Sequence, residues 1–252
     1  MRVARFTQGE EPRYGILDGP ELAVLRGHPL VHGYDTTGER VALKDVRLLA
    51  PTIPSKVVCI GKNYADHIAE MGHAEVKPEP TIFLKPSSAV IGPGDHILLP
   101  TQSNQVELEA ELAIVIGQIA KNVSEEKAQD FVWGYCVAND VTARDLQRSD
   151  DQWARSKAFD TFCPLGPWIE TEFVPDGQVI ESRIDGETKQ SASIDLMLHN
   201  VNRIISYVSQ NMTLLPGDVI LTGTPAGISK IEKGNIVECE IEGIGTLLNP
   251  VH

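Results

Sequence analysis

The segment VELEAELAIVIG, residues 106–117, decides how the rest of this 252-residue chain is interpreted. It ends in an unbroken apolar run, Leu112–Ile116, which is typical of a strand buried on both faces. Before that run, Glu107, Glu109 and Glu111 occur two residues apart. On a strand the three carboxylates would therefore lie on one face and the residues between them on the other.

Two explanations fit this acidic face. It could belong to a solvent-facing edge strand whose charges prevent aggregation. Alternatively, the carboxylate oxygens could hold a hard divalent cation, which would cancel the repulsion between like charges on one face. The spacing leaves both explanations open, and it does not select among the three glutamates.

The rest of the chain is mostly strand-like. Apolar stretches of strand length recur on both sides of the acidic segment, among them KVVCIG (56–61), WGYCVA (133–138) and NIVECEIEG (235–243). Helical patterns are fewer, and they are Tyr64–Met71 ending at Gly72, a start at Ser124 followed by EEKAQDF, and Ile194–Val208 with apolar residues at three- and four-residue spacing. We therefore predict a mainly β, α+β fold without βαβ alternation.

The first fifty residues differ from those that follow. They contain short strand-like stretches broken by Gly, Pro and Asp, and Pro51 and Pro54 then favour an extended linker. We predict a small N-terminal β-rich domain over residues 1–50 and a catalytic domain over residues 51–252.

Composition excludes several classes of partner. The chain has 22 Lys and Arg against 35 Asp and Glu, a formal net charge of −13. This charge repels phosphate groups and no basic cluster opposes it, so we expect no nucleic-acid partner and no membrane partner. Its apolar runs fall far short of the roughly 20 residues that span a bilayer, and residues 1–15 lack the apolar core of a signal peptide. We expect a cytoplasmic protein whose separated cysteines are buried reduced thiols, namely Cys59, Cys136, Cys163 and Cys239.

A second polar segment, ANDVTARDLQ (138–147), follows a strand-like stretch. Asp140 falls at the strand end, where side chains often enter a site, although it could equally form an Asx turn with the preceding asparagine. Arg144 and Gln147 are three residues apart and would share a helix face. Lys157, beside an apolar stretch, could reach solvent or supply positive charge to an anionic substrate.

His67 and Glu70 lie three residues apart on the predicted helix Tyr64–Met71. On one helix face they could hydrogen-bond, and a carboxylate that orients an imidazole makes a workable general base for water. A surface pair with no role has the same spacing, so the pattern leaves both interpretations open.

Six segments recur in one order along residues 51–250, and in that order and spacing they resemble the fumarylacetoacetate hydrolase family. They are IGKNYADHIAEMG, FLKPSSAVIGPGD, ELEAELAIVIG, ANDVTARDLQ, KAFDTFCPLGP and GDVILTGTPAGI. The resemblance implies a mixed β-sandwich roll preceded by a small N-terminal domain, and an enzyme that depends on Mg²⁺ or Mn²⁺.

The resemblance also implies a ligand set for that metal. It assigns Glu109, Glu111 and Asp140 as the metal ligands, with Glu107 in a supporting or structural position. Leu108 stands where the family often has an aromatic residue, a departure that would change packing beside the metal without removing a ligand.

Further positions acquire roles through the same resemblance. Arg144, Gln147 and Lys157 correspond to residues that hold the carboxylate and oxo groups of the substrate, and Lys157 would also stabilise charge during the reaction. Thr224 corresponds to another substrate-side position.

His67 and Glu70 correspond to a catalytic pair on a mobile lid, which would span residues 65–80. The implied substrate is a small anionic 2-oxo or enol acid, and the implied assembly is a homodimer. The expected reaction is cleavage of an acylpyruvate-type carbon–carbon bond through a metal-stabilised pyruvate enolate. Oxaloacetate decarboxylation and isomerisation of 2-hydroxyhepta-2,4-diene-1,7-dioate are the alternatives.

Overall fold

A computed structural model describes residues 1–72 and 76–252. The strands are β1 (Arg2–Thr7), β2 (Arg13–Asp18), β3 (Glu21–Leu25), β4 (Thr36–Ala42), β5 (Arg47–Leu49), β6 (Val57–Gly61), β7 (Thr81–Lys85), β8 (Val90–Ile91), β9 (Val106–Leu108), β10 (Ala110–Ile116), β11 (Val132–Asn139), β12 (Thr142–Ala143), β13 (Cys163–Glu170), β14 (Val179–Ile184), β15 (Glu187–Ser193), β16 (Val219–Leu221), β17 (Ser229–Lys230), β18 (Ile236–Ile241) and β19 (Gly245–Pro250). The α-helices are α1 (Pro29–His32), α2 (Ala65–Glu70), α3 (Arg144–Ser149), α4 (Ala154–Lys157) and α5 (Val201–Asn211).

A large mixed sheet crosses the molecule in the order β4-β3-β2-β1-β13-β11-β10-β16-β6-β7. Its neighbours are antiparallel except β16 and β6, which run parallel. A second sheet has the order β15-β14-β18-β19, and a small one joins β12, β9 and β17. The predicted mainly β, α+β fold with a mixed β-sandwich is confirmed.

Strand β10 explains why the apolar run of the acidic segment is unbroken. Leu112, Ile114 and Ile116 face the principal core, which the second sheet and α5 close. Ala113 and Val115 face a separate apolar cluster on the other side of the large sheet. Burial of such a side chain contributes about 1.5–3 kcal/mol, so this strand anchors the acidic residues that precede it.

The cysteines lie where the sequence predicts. All four are free and buried. Burial raises the pKa of the Cys239 thiol to about 12, and that of Cys163 to about 12 as well. Thiols of this kind are protonated at neutral pH and act as small apolar side chains.

The first fifty residues have an apolar cluster of their own, which includes Phe6, Leu22 and Val24. They also extend the large sheet, because β1 pairs with β13 in an antiparallel register that sets Val3 opposite Ile169. The domain division at residue 50 stays a prediction.

The predicted helix Ile194–Val208 is wrong in its first half. Residues Ile194–Leu196 form a 3₁₀ turn, and α5 begins at Val201, after Asn200. The Asn200 side chain accepts a hydrogen bond of 2.9 Å from the Arg203 amide and caps the helix.

The other two helical patterns have different outcomes. The predicted helix Tyr64–Met71 is confirmed as α2. The segment after Ser124 is a 3₁₀ helix, Glu125–Phe131, and the Ser124 side chain does not cap it.

Among residues 1–72 and 76–252, no helix is long and apolar enough to cross a membrane.

Candidate metal centre and active site

The strand carrying the glutamates is interrupted at Glu109, between β9 and β10. Two hydrogen bonds shape the interruption: the Glu109 amide donates to Asn139 Oδ1 at 2.9 Å, and the Asp140 amide donates to the Glu109 carbonyl at 2.8 Å. The interruption therefore brings the end of β11, with Asp140, directly beside the acidic residues.

Carboxylate oxygens of Glu109, Glu111 and Asp140 lie within 4.8 Å of one another. The three residues are at most 3% exposed, so the explanation as a solvent-facing edge strand is wrong. Glu107 is buried as well, but it does not belong to this group of three.

The donor set of this triad fits a hard divalent cation, because Mg²⁺ and Mn²⁺ prefer carboxylate oxygens. Asp140 Oδ1 is buried and accepts no hydrogen bond from the described residues. The Lys85 ammonium lies 2.7 Å from this oxygen as an ion pair, outside hydrogen-bond alignment. A buried carboxylate oxygen with an unused lone pair is what a metal ligand presents before its ion binds.

Buried cations surround the triad. Lys157 Nζ lies 2.9 Å from Glu109 Oε2 and 2.6 Å from Asp140 Oδ2. The Arg144 guanidinium contacts Glu109 and also donates to Glu107 Oε2 at 2.7 Å. Glu107 therefore orients Arg144, a structural role consistent with its position outside the triad.

The buried carboxylates outnumber the cations that are paired with them. Glu107, Glu109, Glu111 and Asp140 carry four formal negative charges, against three positive charges on Lys85, Arg144 and Lys157, which leaves −1. Burial and the charges of Asp140 and Glu109 raise the pKa of the Glu111 carboxyl well above its usual range. The charge of a divalent cation would oppose this shift, because it favours the ionised carboxyl.

The pKa of Glu109 moves the other way. Burial opposes its ionisation, yet the charges of Lys157 and Arg144 hold the pKa of this carboxyl well below its usual range. Burial lowers the pKa of Lys157, but the charges of Asp140 and Glu109 outweigh it and the pKa is raised. The ion pairs are therefore charged at neutral pH.

The turn after β16 closes the site from the opposite side. The Gly223 amide donates to Glu111 Oε2 at 2.6 Å. Gly223 has a φ of 98°, and a Cβ here would lie 2.6 Å from the Asn63 Cβ, so only glycine fits this approach. Thr224 follows, and its hydroxyl already donates to the Ala110 carbonyl at 2.8 Å.

His67 lies on α2 and is 7% exposed. Its Nδ1 is 3.3 Å from Glu70 Oε2, and Glu70 Oε1 accepts a hydrogen bond of 3.0 Å from the Gly227 amide. His67 lines the same cavity as the triad, whereas Glu70 is exposed and lies outside the cavity lining. Glu70 holds the imidazole through Nδ1, which leaves Nε2 of His67 available for proton transfer.

The cavity has a volume of about 330 Å³. The structure places most of the residues singled out in the sequence along it: His67, Glu109, Glu111, Asp140, Arg144, Gln147, Lys157 and Thr224. Their individual roles stay predictions, because their placement alone does not assign them.

The sequence interpretation missed other residues of the site. Lys62, Arg148 and Trp153 line the cavity. Lys85 pairs with Asp140 from β7, and Gln190 reaches the Ala110 amide from β15 at 3.0 Å. Lys85 is the last residue of β7, and nothing in the local sequence marks this lysine as buried.

Part of the predicted lid over residues 65–80 lies outside the described residues, namely positions 73–75. The described part contains α2 and the segment leading to β7. In that segment Glu79 Oε2 accepts a hydrogen bond of 3.2 Å from the Tyr207 hydroxyl on α5.

Comparison with known proteins gives two family matches. The model of the fumarylacetoacetate (FAA) hydrolase C-terminal domain matches residues 56–252. A second model, described as Rv2993c-like, N-terminal, matches residues 1–51.

Individual relatives carry several activities in their names. An oxaloacetate tautomerase, mitochondrial, from Xenopus laevis is 43% identical over 230 residues, which cover 86% of this chain and 72% of that protein. A crystal structure of 5-carboxymethyl-2-hydroxymuconate delta-isomerase from Mycobacterium smegmatis is 45% identical with a TM-score of 0.92, covering 100% of this chain and 99% of the other. Maleylpyruvate hydrolase from Sphingobium, in complex with manganese(II) and pyruvate, is 29% identical with a TM-score of 0.82, at coverages of 100% and 98%.

Proposed function

The chain belongs to the fumarylacetoacetate hydrolase family, and from that premise we propose that it is a Mg²⁺- or Mn²⁺-dependent enzyme that cleaves a carbon–carbon bond of a small 2-oxo acid. The observation that carries the proposal is the buried carboxylate triad in one cavity with His67, whose imidazole contacts Glu70. A structural cation site would explain the triad but would not require a histidine–carboxylate pair beside it.

Glu109, Glu111 and Asp140 would hold the cation. A bound divalent ion supplies a Lewis acid for the carboxylate and oxo oxygens of a 2-oxo acid. The maleylpyruvate hydrolase with manganese and pyruvate supports this choice, since pyruvate is itself a 2-oxo acid.

Arg144 and Lys157 would bind the 2-oxo carboxylate end of the substrate. Both cations are buried and fixed by carboxylates, so they need little reorganisation when negative charge develops during the reaction. Gln147 Oε1 accepts a hydrogen bond of 2.5 Å from Arg144, which leaves the amide nitrogen of Gln147 to donate to substrate. The hydroxyl proton of Thr224 is already committed, so this residue would act through its backbone or a lone pair.

The His67–Glu70 pair would move the proton. In hydrolysis, His67 takes a proton from water as the oxygen adds to the distal carbonyl of an acylpyruvate. The bond between that carbonyl carbon and the pyruvate methylene then breaks, and its electron pair remains on the pyruvate enolate. The enolate receives the proton from His67, which yields pyruvate and the second acid.

A second candidate is proton transfer without bond cleavage, as in tautomerisation or isomerisation of an enol acid. The names of the Xenopus and Mycobacterium smegmatis relatives favour it. The same histidine would carry the proton between carbon and oxygen. Oxaloacetate decarboxylation is a third use of the site, since loss of carbon dioxide leaves the same enolate and requires no attacking water.

A turnover panel distinguishes these reactions. Acetylpyruvate, fumarylpyruvate, oxaloacetate and 2-hydroxyhepta-2,4-diene-1,7-dioate would each be tested with Mg²⁺, Mn²⁺ or EDTA, followed by absorbance and pyruvate release. We expect metal-dependent pyruvate release from an acylpyruvate. Absorbance change without pyruvate would favour proton transfer instead, and no turnover of any substrate would contradict the proposed substrate class.

We also propose that the protein is a cytoplasmic homodimer without a nucleic-acid or membrane partner. Four free buried thiols fit a reducing compartment. A groove lined by apolar side chains, including Phe173, Val174 and Met197, offers surface for a second subunit. Light scattering that gave the mass of one chain would contradict the dimer.

A further inference from the structure

Lys62 has a backbone conformation that its residue type disfavours. It directly follows β6 and has a φ of 61°, in the left-handed region where a non-glycine residue is uncommon. Asn122, Thr161 and Asp185 also have positive φ. Asparagine and aspartate tolerate this region well, and Thr161, which does not, lies outside the cavity lining. Such strain persists where the surroundings impose it, often at ligand sites.

The neighbours of Lys62 impose this conformation. Asn63 is fully buried and donates to the carbonyls of His199 and Thr222 at 3.0 and 2.7 Å. On the other side, a Cβ on Gly61 would lie 2.7 Å from the Trp153 ring. Held between these two fixed residues, Lys62 lines the cavity of the metal centre.

The charge of Lys62 differs from that of the two cations beside the triad. Arg144 and Lys157 are both paired with carboxylates. Lys62 has no carboxylate within ion-pair distance in the part of the chain that the structure describes. Partial burial and the charge of nearby Lys77 lower the pKa of this ammonium. An anionic group of a ligand bound beside Lys62 would favour its charged form.

We propose that Lys62 determines specificity by binding the second carboxylate of a diacid substrate, the one distant from the 2-oxo group. This inference rests on the proposed function, because it assumes that the triad and its cations hold the 2-oxo end. The cavity would then favour 2-oxo diacids over monoacids such as acetylpyruvate. Arg148 also lines the cavity without a carboxylate partner among the described residues, but its guanidinium donates to the neutral side chain of Gln105.

Two non-reacting ligands of equal chain length test the proposal. 2-Oxoglutarate and 2-oxopentanoate differ only in the distal carboxylate, and oxalate offers a chelating group without any distal part. Their affinities for the Mg²⁺-loaded protein would be measured by calorimetry. The variants are Lys62→Gln, Lys62→Arg as the charge-retaining control, and Lys44→Gln at an exposed lysine in the 3₁₀ turn between β4 and β5.

We expect the wild-type protein to bind 2-oxoglutarate at least about tenfold tighter than 2-oxopentanoate, which corresponds to about 1.4 kcal/mol. Lys62→Gln should abolish this preference, while Lys62→Arg and Lys44→Gln should keep it. Oxalate affinity should be the same in all four proteins.

Two kinds of failure can be told apart. If Lys62→Gln keeps the preference for 2-oxoglutarate, or if the wild-type protein shows no such preference, the role of Lys62 is overturned. The proposed function still stands in that case, provided that the wild-type protein binds oxalate. If the wild-type protein binds neither the 2-oxo acids nor oxalate in the presence of Mg²⁺, the proposed function fails and the inference fails with it.

Discussion

Gln190 joins the two segments that carry the site, and loss of its amide should destabilise the fold by a measurable amount. The side chain is 1% exposed. Its oxygen accepts hydrogen bonds from the Ala110 amide at 3.0 Å and the Ser182 hydroxyl at 2.8 Å. Its nitrogen donates to Thr224 Oγ1 at 2.7 Å and to the Pro225 carbonyl at 2.8 Å.

The substitution Gln190→Leu keeps a similar volume and removes all four hydrogen bonds. The hydroxyls of Ser182 and Thr224 can rotate, but the Ala110 amide and the Pro225 carbonyl are backbone groups that cannot. A buried polar group left without a partner costs about 1–3 kcal/mol. Two such groups should therefore lower the free energy of unfolding by about 2–6 kcal/mol.

Urea denaturation, followed by circular dichroism, would measure this change. Gln118→Leu is the matched control, because Gln118 is exposed and its amide makes a single hydrogen bond of 3.1 Å to the Asp130 carbonyl. The control should stay within about 0.5 kcal/mol of the wild-type protein. If Gln190→Leu were no more destabilising than this control, the four hydrogen bonds would not hold the two segments together.

Three further outcomes are expected. His67→Ala should abolish turnover and leave Mg²⁺ affinity by calorimetry intact; unchanged turnover would remove His67 from the mechanism. Glu109→Ala should weaken Mg²⁺ binding in the same experiment, and unaltered affinity would contradict its assignment as a ligand. Burial opposes ionisation of Asp218, but hydrogen bonds from Lys56, Ser55 and the Leu215 amide hold the pKa of its carboxyl below 3.8. Its stabilisation is therefore complete above the unfolded pKa and is lost as the pH falls through the folded one. Asp218→Asn should therefore lower the melting temperature at neutral pH and have a progressively smaller effect as the pH is lowered; an effect that does not change with pH would refute this.

The sequence reveals those parts of the site that depend on local spacing. Alternation marks Glu107, Glu109 and Glu111 alike because a strand repeats every two residues, and a strand end marks Asp140. The family resemblance is what selects Glu109 and Glu111. The spacing of His67 and Glu70 predicts a helical pair, but whether the pair is buried depends on where α2 docks. No local sequence pattern encodes where a helix packs against the rest of the fold.

The missed residues share the same cause. Lys85 and Gln190 come from strands that are distant in sequence from the metal ligands, and only the sheet order brings them to the site. The helix predicted over Ile194–Val208 failed for a related reason. Its apolar spacing continues through residues 197–200, but there the amides of Leu198 and His199 bond to Asn63.

The parallel pair β6–β16 has a consequence for how the protein is made. It sets Val57 opposite Val219, so the large sheet closes around β6 only after most of the chain has left the ribosome. The Gly223 amide, which completes the surroundings of Glu111, arrives with the same late segment. Because contacts between residues so far apart form slowly, we expect nascent chains that end before β16 to lack tight metal binding, and catalytic competence to appear at the last folding step.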